Sequence, residues 1–427
     1  MKYSWQHPEW PNFTYDTKQC RDSLYQYALE AGRLSGGIGQ LTDTLQYEAY
    51  LDLMVSEAIN TSRIEGEKLD RENVRSSIKN FLGLTVPPTR VMDPRAEGIA
   101  ALMVDVRNTF KDELTKEKLF HWHQLVLPKE ESSFLRNKIQ IGQWRTSEEP
   151  MQIISGPIGY EKVHYEAPPA QQIEFEMDRF LKWYNDTSPL NGNRKEDIPG
   201  PIRSAIAHLW FETLHPFDDG NGRVGRAIAE QALSQDLKRP PLLSLSTIIE
   251  KDKNAYYDGL NRASQPNLDV SQWVNWFTSS VLSAQREAVK NIEFILKKAK
   301  FWDKFQNENL NERQVKAINK VFKAGPDGFE FGVNAKKYMG MTGCSKATAT
   351  RDLGDLVDKN CLYRMEGGGR NARYGIQLEE GSSISTKPKT KMENSIPENL
   401  AEKMTEWRKD NNKATLTEKP SSEPRIK

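Results

Sequence analysis

Between His215 and Arg226 the chain gathers an imidazole, two carboxylates, two glycines around an asparagine, and two arginines three positions apart. The order is His215-Pro216-Phe217-Asp218-Asp219-Gly220-Asn221-Gly222-Arg223-Val224-Gly225-Arg226. The run Val224–Leu233 that follows is amphipathic, so the stretch reads as a loop entering a helix N-terminus. Amide groups at a helix start have no intrahelical partner and carry partial positive charge, which attracts phosphate. Gly220 and Gly222 let the backbone turn sharply and approach an anion closely. Arg223 and Arg226 add fixed charge with forked donors suited to phosphate oxygens. Asp219 is a hard oxygen ligand of the kind that holds magnesium beside substrate phosphates. His215 is the proton acceptor best matched to neutral pH. Together these residues describe phosphate chemistry with a general base beside it.

At every defined position the stretch resembles the signature of the Fic (Fido) family, His-Pro-Phe-x-Asp-Gly-Asn-Gly-Arg-x-x-Arg. The resemblance extends from about Leu114 to Ser283 and includes an element near residue 65. It implies a mainly α fold, a helical Fic/Fido core with a β-hairpin flap. It also implies transfer of AMP from ATP to a Ser, Thr or Tyr hydroxyl of a target protein. In that reading Gly220, Asn221, Gly222, Arg223 and Arg226 hold the nucleotide, Asp219 holds Mg2+, and His215 deprotonates the hydroxyl. Two other readings stand beside it. One is a Fic-type transferase of another phosphoryl group; the other is a nucleotide-sensing DNA-binding regulator.

Upstream, Thr61-Ser62-Arg63-Ile64-Glu65-Gly66 resembles the family's inhibitory pattern, Ser/Thr-x-x-x-Glu-Gly/Asn. The resemblance implies that Glu65 pairs with Arg226, withdraws it from the γ-phosphate and spoils the pose of the α-phosphate. In the reverse reaction, hydrolytic removal of AMP, Glu65 would orient water. Read without the family, Glu65 is a solvated glutamate at a helix C-terminus with Gly66 as the stop. Met151–Ser155 and Lys162–Tyr165, joined through Gly156-Pro157-Ile158-Gly159, carry a hairpin signature. The resemblance makes this 151–165 hairpin the flap, where an extended target segment adds as a strand. An aromatic near Tyr256-Tyr257 covers adenine in the family; core packing is the alternative for either tyrosine. His121-Trp122-His123 lies in a helical pattern, which sends its two imidazoles about 200° apart and favours structural roles over a metal pair.

The elements that carry these residues fall into five parts. Residues 1–87 form a helical extension that bears the inhibitory helix. Its aromatic start, with Trp5, Trp10, Phe13 and Tyr15, resembles the N-terminal domain fused to bacterial Fic proteins, or is an arm packed on the domain surface. Helical periodicity from Thr17 is interrupted at Gly36-Gly37 and resumes through Leu45–Ala58. Residues 88–290 are the catalytic domain, in which Ile202, Ala205, Ile206, Leu209 and Trp210 form an apolar stripe beneath the motif. Residues 291–309 are a charged helical connector. Residues 310–378 read as a winged helix-turn-helix with twelve basic against seven acidic residues. In it Lys346, Thr348, Thr350 and Arg351 open the recognition helix, and Arg370 and Arg373 flank a wing with Gly367–Gly369 at its tip. DNA binding, homodimerisation and target choice are its alternative uses. The tail 379–427 has a disordered composition.

Across the 427 residues, 60 basic side chains meet 59 acidic ones, so no global field favours nucleic acid or membrane. Three scattered cysteines form no Cys-x-x-Cys, which argues against a disulfide framework or a zinc site and fits a reducing compartment. With no long apolar run and no apolar leader at Met1–Gln6, the expectation is a soluble cytoplasmic protein.

Overall fold

The structure is a computed structural model that describes residues 2–39, 41–127, 139–155, 162–194, 196–323, 325, 332–365 and 372–378. It is mainly helical. First come α1 (Arg21–Ile38), α2 (Asp43–Ile64), α3 (Arg71–Phe81), α4 (Pro94–Asn108) and α5 (Lys116–Val126). A hairpin follows, β1 (Gln152–Ser155) and β2 (Lys162–Glu166). Then come α6 (Ala170–Asp186), α7 (Gly200–Leu214), α8 (Asn221–Leu237), α9 (Leu245–Lys251), α10 (Lys253–Ala263) and α11 (Ser271–Phe305). The last described elements are α12 (Glu312–Lys323), α13 (Ala335–Thr342), α14 (Lys346–Asp358), β3 (Leu362–Arg364) and β4 (Tyr374–Ile376). The hairpin turn at Gly156–Gly159, the wing tip with Arg370, and the 379–427 tail lie outside the described residues. Among the described residues no helix is long and apolar enough to cross a membrane.

The described chain divides into two compact units, residues 2–29 with 50–285, and residues 30–49 with 286–378. In the first unit α7 is the central helix. Its sequence is apolar nearly all round, and every residue of it except Glu212 is buried. On one side Trp210, Phe211 and Leu214 join Met103, Trp122, Phe180 and Tyr184; on the other, Ile202, Ala205 and Leu209 join Tyr256, Trp273 and Phe277. α8 takes part in both clusters through Val224 and Ile228 on one side and Ala229 and Leu233 on the other. The short loop between α7 and α8 is therefore held at both ends by the best-packed pair in the unit. The N-terminal aromatics pack onto this same body. Trp5 Nε1 donates to Glu166 O (2.9 Å), Trp10 Nε1 donates to Glu176 Oε2 (2.9 Å), and Tyr3 meets Tyr165 edge to face.

In the second unit α12, α13 and α14 enclose an apolar core with Ile318, Phe322, Tyr338, Leu353 and Leu356. β3 and β4 pair antiparallel, and Val333 bridges to Tyr374 at the hairpin's other edge. The buried Asp352 ties the helices together. It accepts from Arg313 Nε (2.9 Å) on α12 and from the Tyr338 hydroxyl (3.1 Å) on α13.

Two expectations are corrected and one is sharpened. α1 runs through Gly36-Gly37 to Ile38, because glycine weakens a helix without breaking it as proline does. Asn291–Gln306 is helical as expected and is continuous with the turns before it: Ser271–Phe305 is one helix, with no glycine or proline to stop it. The turn expected over Gly340–Gly343 is confined to Gly343, the left-handed residue (φ +75°) that ends α13.

Candidate active site

α7 ends at His215, whose backbone is left-handed (φ +45°), and Pro216 prevents continuation. Histidine is among the non-glycine residues that tolerate this region, though at a cost. Gly220 (φ +82°) makes the second sharp turn and caps α8. Asn221, expected among the nucleotide ligands, turns its buried side chain the other way. Its Oδ1 accepts from Phe217 N (2.9 Å) and its Nδ2 donates to Phe217 O (2.8 Å), closing the loop on itself. Only its backbone amide, at the first position of α8, faces the helix start. Beneath the loop Phe217 is fully buried and stacks on His123 at 3.9 Å. His123 accepts from Gly142 N at Nδ1 (3.0 Å) and bonds Asp219 O through Nε2 (3.0 Å); burial pushes it down to about 4, so it is neutral. His121, two residues earlier, is exposed, so the two imidazoles leave the helix on different faces.

We expect Asn221→Ala to lower Tm by roughly 2–12 °C. The truncation leaves the buried Phe217 amide and carbonyl without partners, which costs about 1–3 kcal/mol, and a domain of this size loses roughly 2–4 °C per kcal/mol. Calorimetry decides it, and an unchanged Tm would show that the loop does not depend on the clamp.

Arg223 and Arg226, one turn into α8, are both buried. Arg226 donates from Nε to Thr61 Oγ1 (2.7 Å) and from one Nη to Thr61 O (2.9 Å) and Glu65 Oε1 (2.7 Å). The sequence-predicted pair is thus in direct contact. Burial alone would raise the Glu65 carboxyl, yet the Arg226 charge holds it below the usual carboxylate range. Burial would also lower the Arg226 guanidinium, and Glu65 more than reverses this. A second carboxylate, not anticipated, stands beside the first: Glu67 Oε2 accepts from Arg223 Nη1 at 3.1 Å. The end of α2 explains the doubling. Glu67 N bonds Ser62 O (2.9 Å) and Gly66 N bonds Arg63 O (2.9 Å), with Gly66 left-handed. This Schellman turn folds the residue after the glycine back beside the residue before it. The sequence Glu65-Gly66-Glu67 carried that signal.

The Glu65 carboxylate rests on Gly222. A Cβ at Gly222 would lie 2.1 Å from Glu65 Oε1 and 3.0 Å from an Arg226 nitrogen. The glycine anticipated for close approach of an anion therefore has an anion against it.

His215 keeps 18% of its side chain exposed, and its Nδ1 is 3.9 Å from Glu212 Oε2. Burial first, and the Arg145 charge second, push His215 down to about 4, so the imidazole is neutral near pH 7. Glu212, one turn earlier on α7, is pushed up to about 8 by burial, and its Oε1 has no hydrogen-bond partner among the described residues. Neither Glu212 nor Arg145 stood out in the sequence; each is a single residue with no motif around it.

Asp219 leaves 53% of its side chain exposed, and its Oδ1 accepts from Gly220 N (2.6 Å) and lies 3.8 Å from Arg223. Among the described residues no three His, Cys, Asp or Glu side chains converge on a metal site. This donor set fits a magnesium ion that arrives with phosphates and keeps most of its waters, not a protein-made cage. Tyr256 and Tyr257 part company. Tyr256 is 1% exposed, its hydroxyl is 2.8 Å from His208 Nε2, and it belongs to the core; as a base contact it is withdrawn. Tyr257 is 40% exposed and its hydroxyl reaches Ile64 O (3.4 Å), next to the Glu65 turn.

The hairpin stands on the His215 side. β1 and β2 pair antiparallel with an irregularity between Ile153 and Ile154, and the Ile153 and Val163 side chains are exposed. The Tyr165 hydroxyl donates to Thr213 O (2.7 Å), which fastens β2 to the last turn of α7.

Residues 113–233 match the Fic/DOC family, and residues 3–84 match a domain of unknown function, DUF4172. Protein adenylyltransferase Fic of Nematostella vectensis is 31% identical over 103 residues, 24% of this chain and 21% of that protein. Protein adenylyltransferase fic-1 of Caenorhabditis elegans is 24% identical over 237 residues, 52% of this chain and 40% of that protein. A solved Fic family protein from Desulfovibrio desulfuricans G20 superposes with a TM-score of 0.45 at 20% identity, over 84% of this chain and 97% of the other. The chain spans 21% and 40% of the length of these two curated relatives.

Proposed function

We propose, from the premise that this chain is a Fic family protein, that it transfers AMP from ATP to a side-chain hydroxyl of a target protein. One observation carries the reading: a neutral His215 imidazole stands at one end of a six-residue loop, with the start of α8 and its two buried arginines at the other. A triphosphate on the amides of Gly220, Asn221 and Gly222, with Arg223 and Arg226 on its oxygens, would present its α-phosphorus toward His215. The target hydroxyl gives its proton to His215 Nε2, its oxygen bonds to the α-phosphorus, and the bond to the bridging oxygen breaks, releasing pyrophosphate. Such transfer depends mainly on alignment and charge neutralisation. Mg2+, held on the protein side by Asp219, would neutralise phosphate charge. Tyr257 is the tyrosine available to an adenine ring. The target enters as a strand along the 151–165 hairpin.

In the same reading Glu65 is the brake. Its carboxylate lies where a phosphate oxygen would contact Gly222 and Arg226, so the latched state and a productive triphosphate exclude each other. With water in place of the hydroxyl, the same histidine could serve removal of AMP. ATP labelled at the α- or the γ-phosphate, incubated with a cell lysate, separates the chemistries. Protein-bound α label supports AMP transfer; γ label alone would replace it with phosphate transfer.

The second unit reads best as a winged helix that contacts DNA. The exposed face of α14 carries Lys346, Ala347, Thr350 and Arg351, two cations among small residues that let the helix approach a groove closely. Full-length protein should bind random duplex DNA at low salt, with affinity falling steeply as salt rises. Arg351→Ala should lessen the slope by about one unit. Absence of binding at low salt would turn the reading toward a protein partner or a second copy.

A further inference from the structure

We propose that Arg145 is a positioning residue for His215, locking the base to the segment that frames the β1–β2 hairpin. The inference rests on the reading of His215 as the base.

Four consecutive carbonyls at the end of α7 and in the following loop each receive a donor from this segment. Thr213 O accepts from the Tyr165 hydroxyl (2.7 Å), and Leu214 O from an Arg145 Nη (3.4 Å). His215 O accepts from Arg145 Nε (2.9 Å), and Pro216 O from the Arg145 backbone amide (2.9 Å). The same guanidinium also donates to Pro168 O, just past β2. Arg145 thus grips the strand's exit with one hand and the histidine with the other. It is 3% exposed, and the Asp218 charge acts on it, but among the described residues no carboxylate contacts it as an ion pair. A buried guanidinium without an anion is unfavourable unless its donors are needed where they are. Here they are needed twice. They satisfy helix-end carbonyls that would otherwise be buried unpaired, and they hold His215 in a left-handed backbone conformation that a β-carbon disfavours. A target strand added to the hairpin is therefore registered against the base through Arg145 and Tyr165, not through a flexible loop.

The charge acts in the same direction. The groups facing His215 are Glu212 on its own helix, Asp219 in the loop, Glu65 after α2 and Arg145 before β1. The first three are acidic; Arg145 is the cation among them, and its charge favours the neutral imidazole.

The test uses Arg145→Lys, Arg145→Gln and Tyr165→Phe, each with Glu65→Gly so that transfer is measurable. Arg145→Lys keeps the charge and loses the fork. It should lower kcat by about 10²-fold, the effect of a displacement of about 1 Å, with KM for ATP within about twofold. Tyr165→Phe removes one donor and should lower kcat less, again at unchanged KM. Arg145→Gln should lower kcat and also raise the His215 titration midpoint toward its ordinary value of 6.5. That moves the acid limb of the pH profile to higher pH, whereas Arg145→Lys leaves the limb in place. His215 can be followed by NMR on histidine-labelled protein, assigned with His215→Ala, since the chain has six histidines. Unchanged kcat in Arg145→Lys, or an unmoved His215 midpoint in Arg145→Gln, overturns the proposal. Loss of thermal stability with kcat and KM changing together would do the same and make Arg145 an ordinary scaffold residue. If Glu65→Gly transfers nothing to any target, the functional reading has failed, and the His215 titration still decides whether Arg145 tunes that residue.

Discussion

His215→Ala should abolish AMP transfer while ATP still binds. Under the proposed function the imidazole acts on the incoming hydroxyl, whereas the triphosphate would rest on the α8 amides and on Arg223 and Arg226, and these two sets of groups do not overlap. Loss of a general base costs typically 10²–10⁴-fold, and more where the same ring also aligns the hydroxyl. The neutral form is already the dominant one in the wild type, because burial and the Arg145 charge hold His215 near 4. The rate should therefore be flat through neutral pH and fall only as His215 takes a proton in acid. Incorporation of α-labelled AMP measures the loss, and calorimetric titration in the Glu65→Gly background measures ATP binding. Transfer at a near-normal rate without the imidazole would end the mechanism.

The second large effect runs the other way. Glu65→Gly should increase transfer to the target and to the protein itself. In the latched state Arg226 gives its Nε to Thr61 and one Nη to both Thr61 and Glu65, while its other Nη has no partner among the described residues. An ion pair this enclosed is worth more than the roughly 0–1 kcal/mol of an exposed one, and removal of one partner leaves the other buried and unpaired. Under the proposed function an arriving γ-phosphate would supply the missing anion. The double variant Glu65→Gly with Arg226→Ala should lose the gain, since the freed guanidinium is gone. Glu67 remains on Arg223 in Glu65→Gly, so the release is of one arginine and not of both. AMP incorporation in the wild type, the two single variants and the double variant tests this. A Glu65→Gly rate equal to wild type, with His215 still required, would make the 61–66 turn simple scaffold.

The site was legible in the sequence where its chemistry is contiguous. His215 through Arg226 lies on one loop and the start of one helix, so spacing alone brings the imidazole, the amides and the arginines together. Glu65 was legible only through the family resemblance; read from its own residues it was a solvated glutamate before the helix stop at Gly66, because nothing in the local pattern shows that the turn faces Arg226. Four things were not read, Glu212 among them, a lone residue with no motif around it. Glu67 was overlooked although Glu65-Gly66-Glu67 carried the signal: it faces Arg223 because the Schellman turn reverses the chain, a consequence of backbone geometry and not of periodicity. Arg145 sits 70 residues before the carbonyl it holds, and an isolated arginine gives no sign of which carbonyls it will meet. Tyr256 and Tyr257 are adjacent on α10, so their side chains leave the helix about 100° apart. Which of them faces the core depends on how α10 docks on α7, and a single sequence does not contain that rotation. The helical elements were largely readable from apolar spacing. The error at Gly36-Gly37 came from treating composition as a boundary where nothing sterically stops a helix.

Gly222 has a further meaning for how such a protein can change. The space left by its missing β-carbon is used in both states, by the Glu65 carboxylate when latched and, under the proposed function, by a phosphate oxygen when active. A methyl group there would evict the brake and obstruct the substrate in one stroke. Inherited gains of activity are thus closed off at this position and confined to the far side of the contact, among Thr61, Glu65 and the turn that presents them. The cradle can stay fixed while the restraint drifts, and strength of inhibition can diverge between descendants without any change in the chemistry.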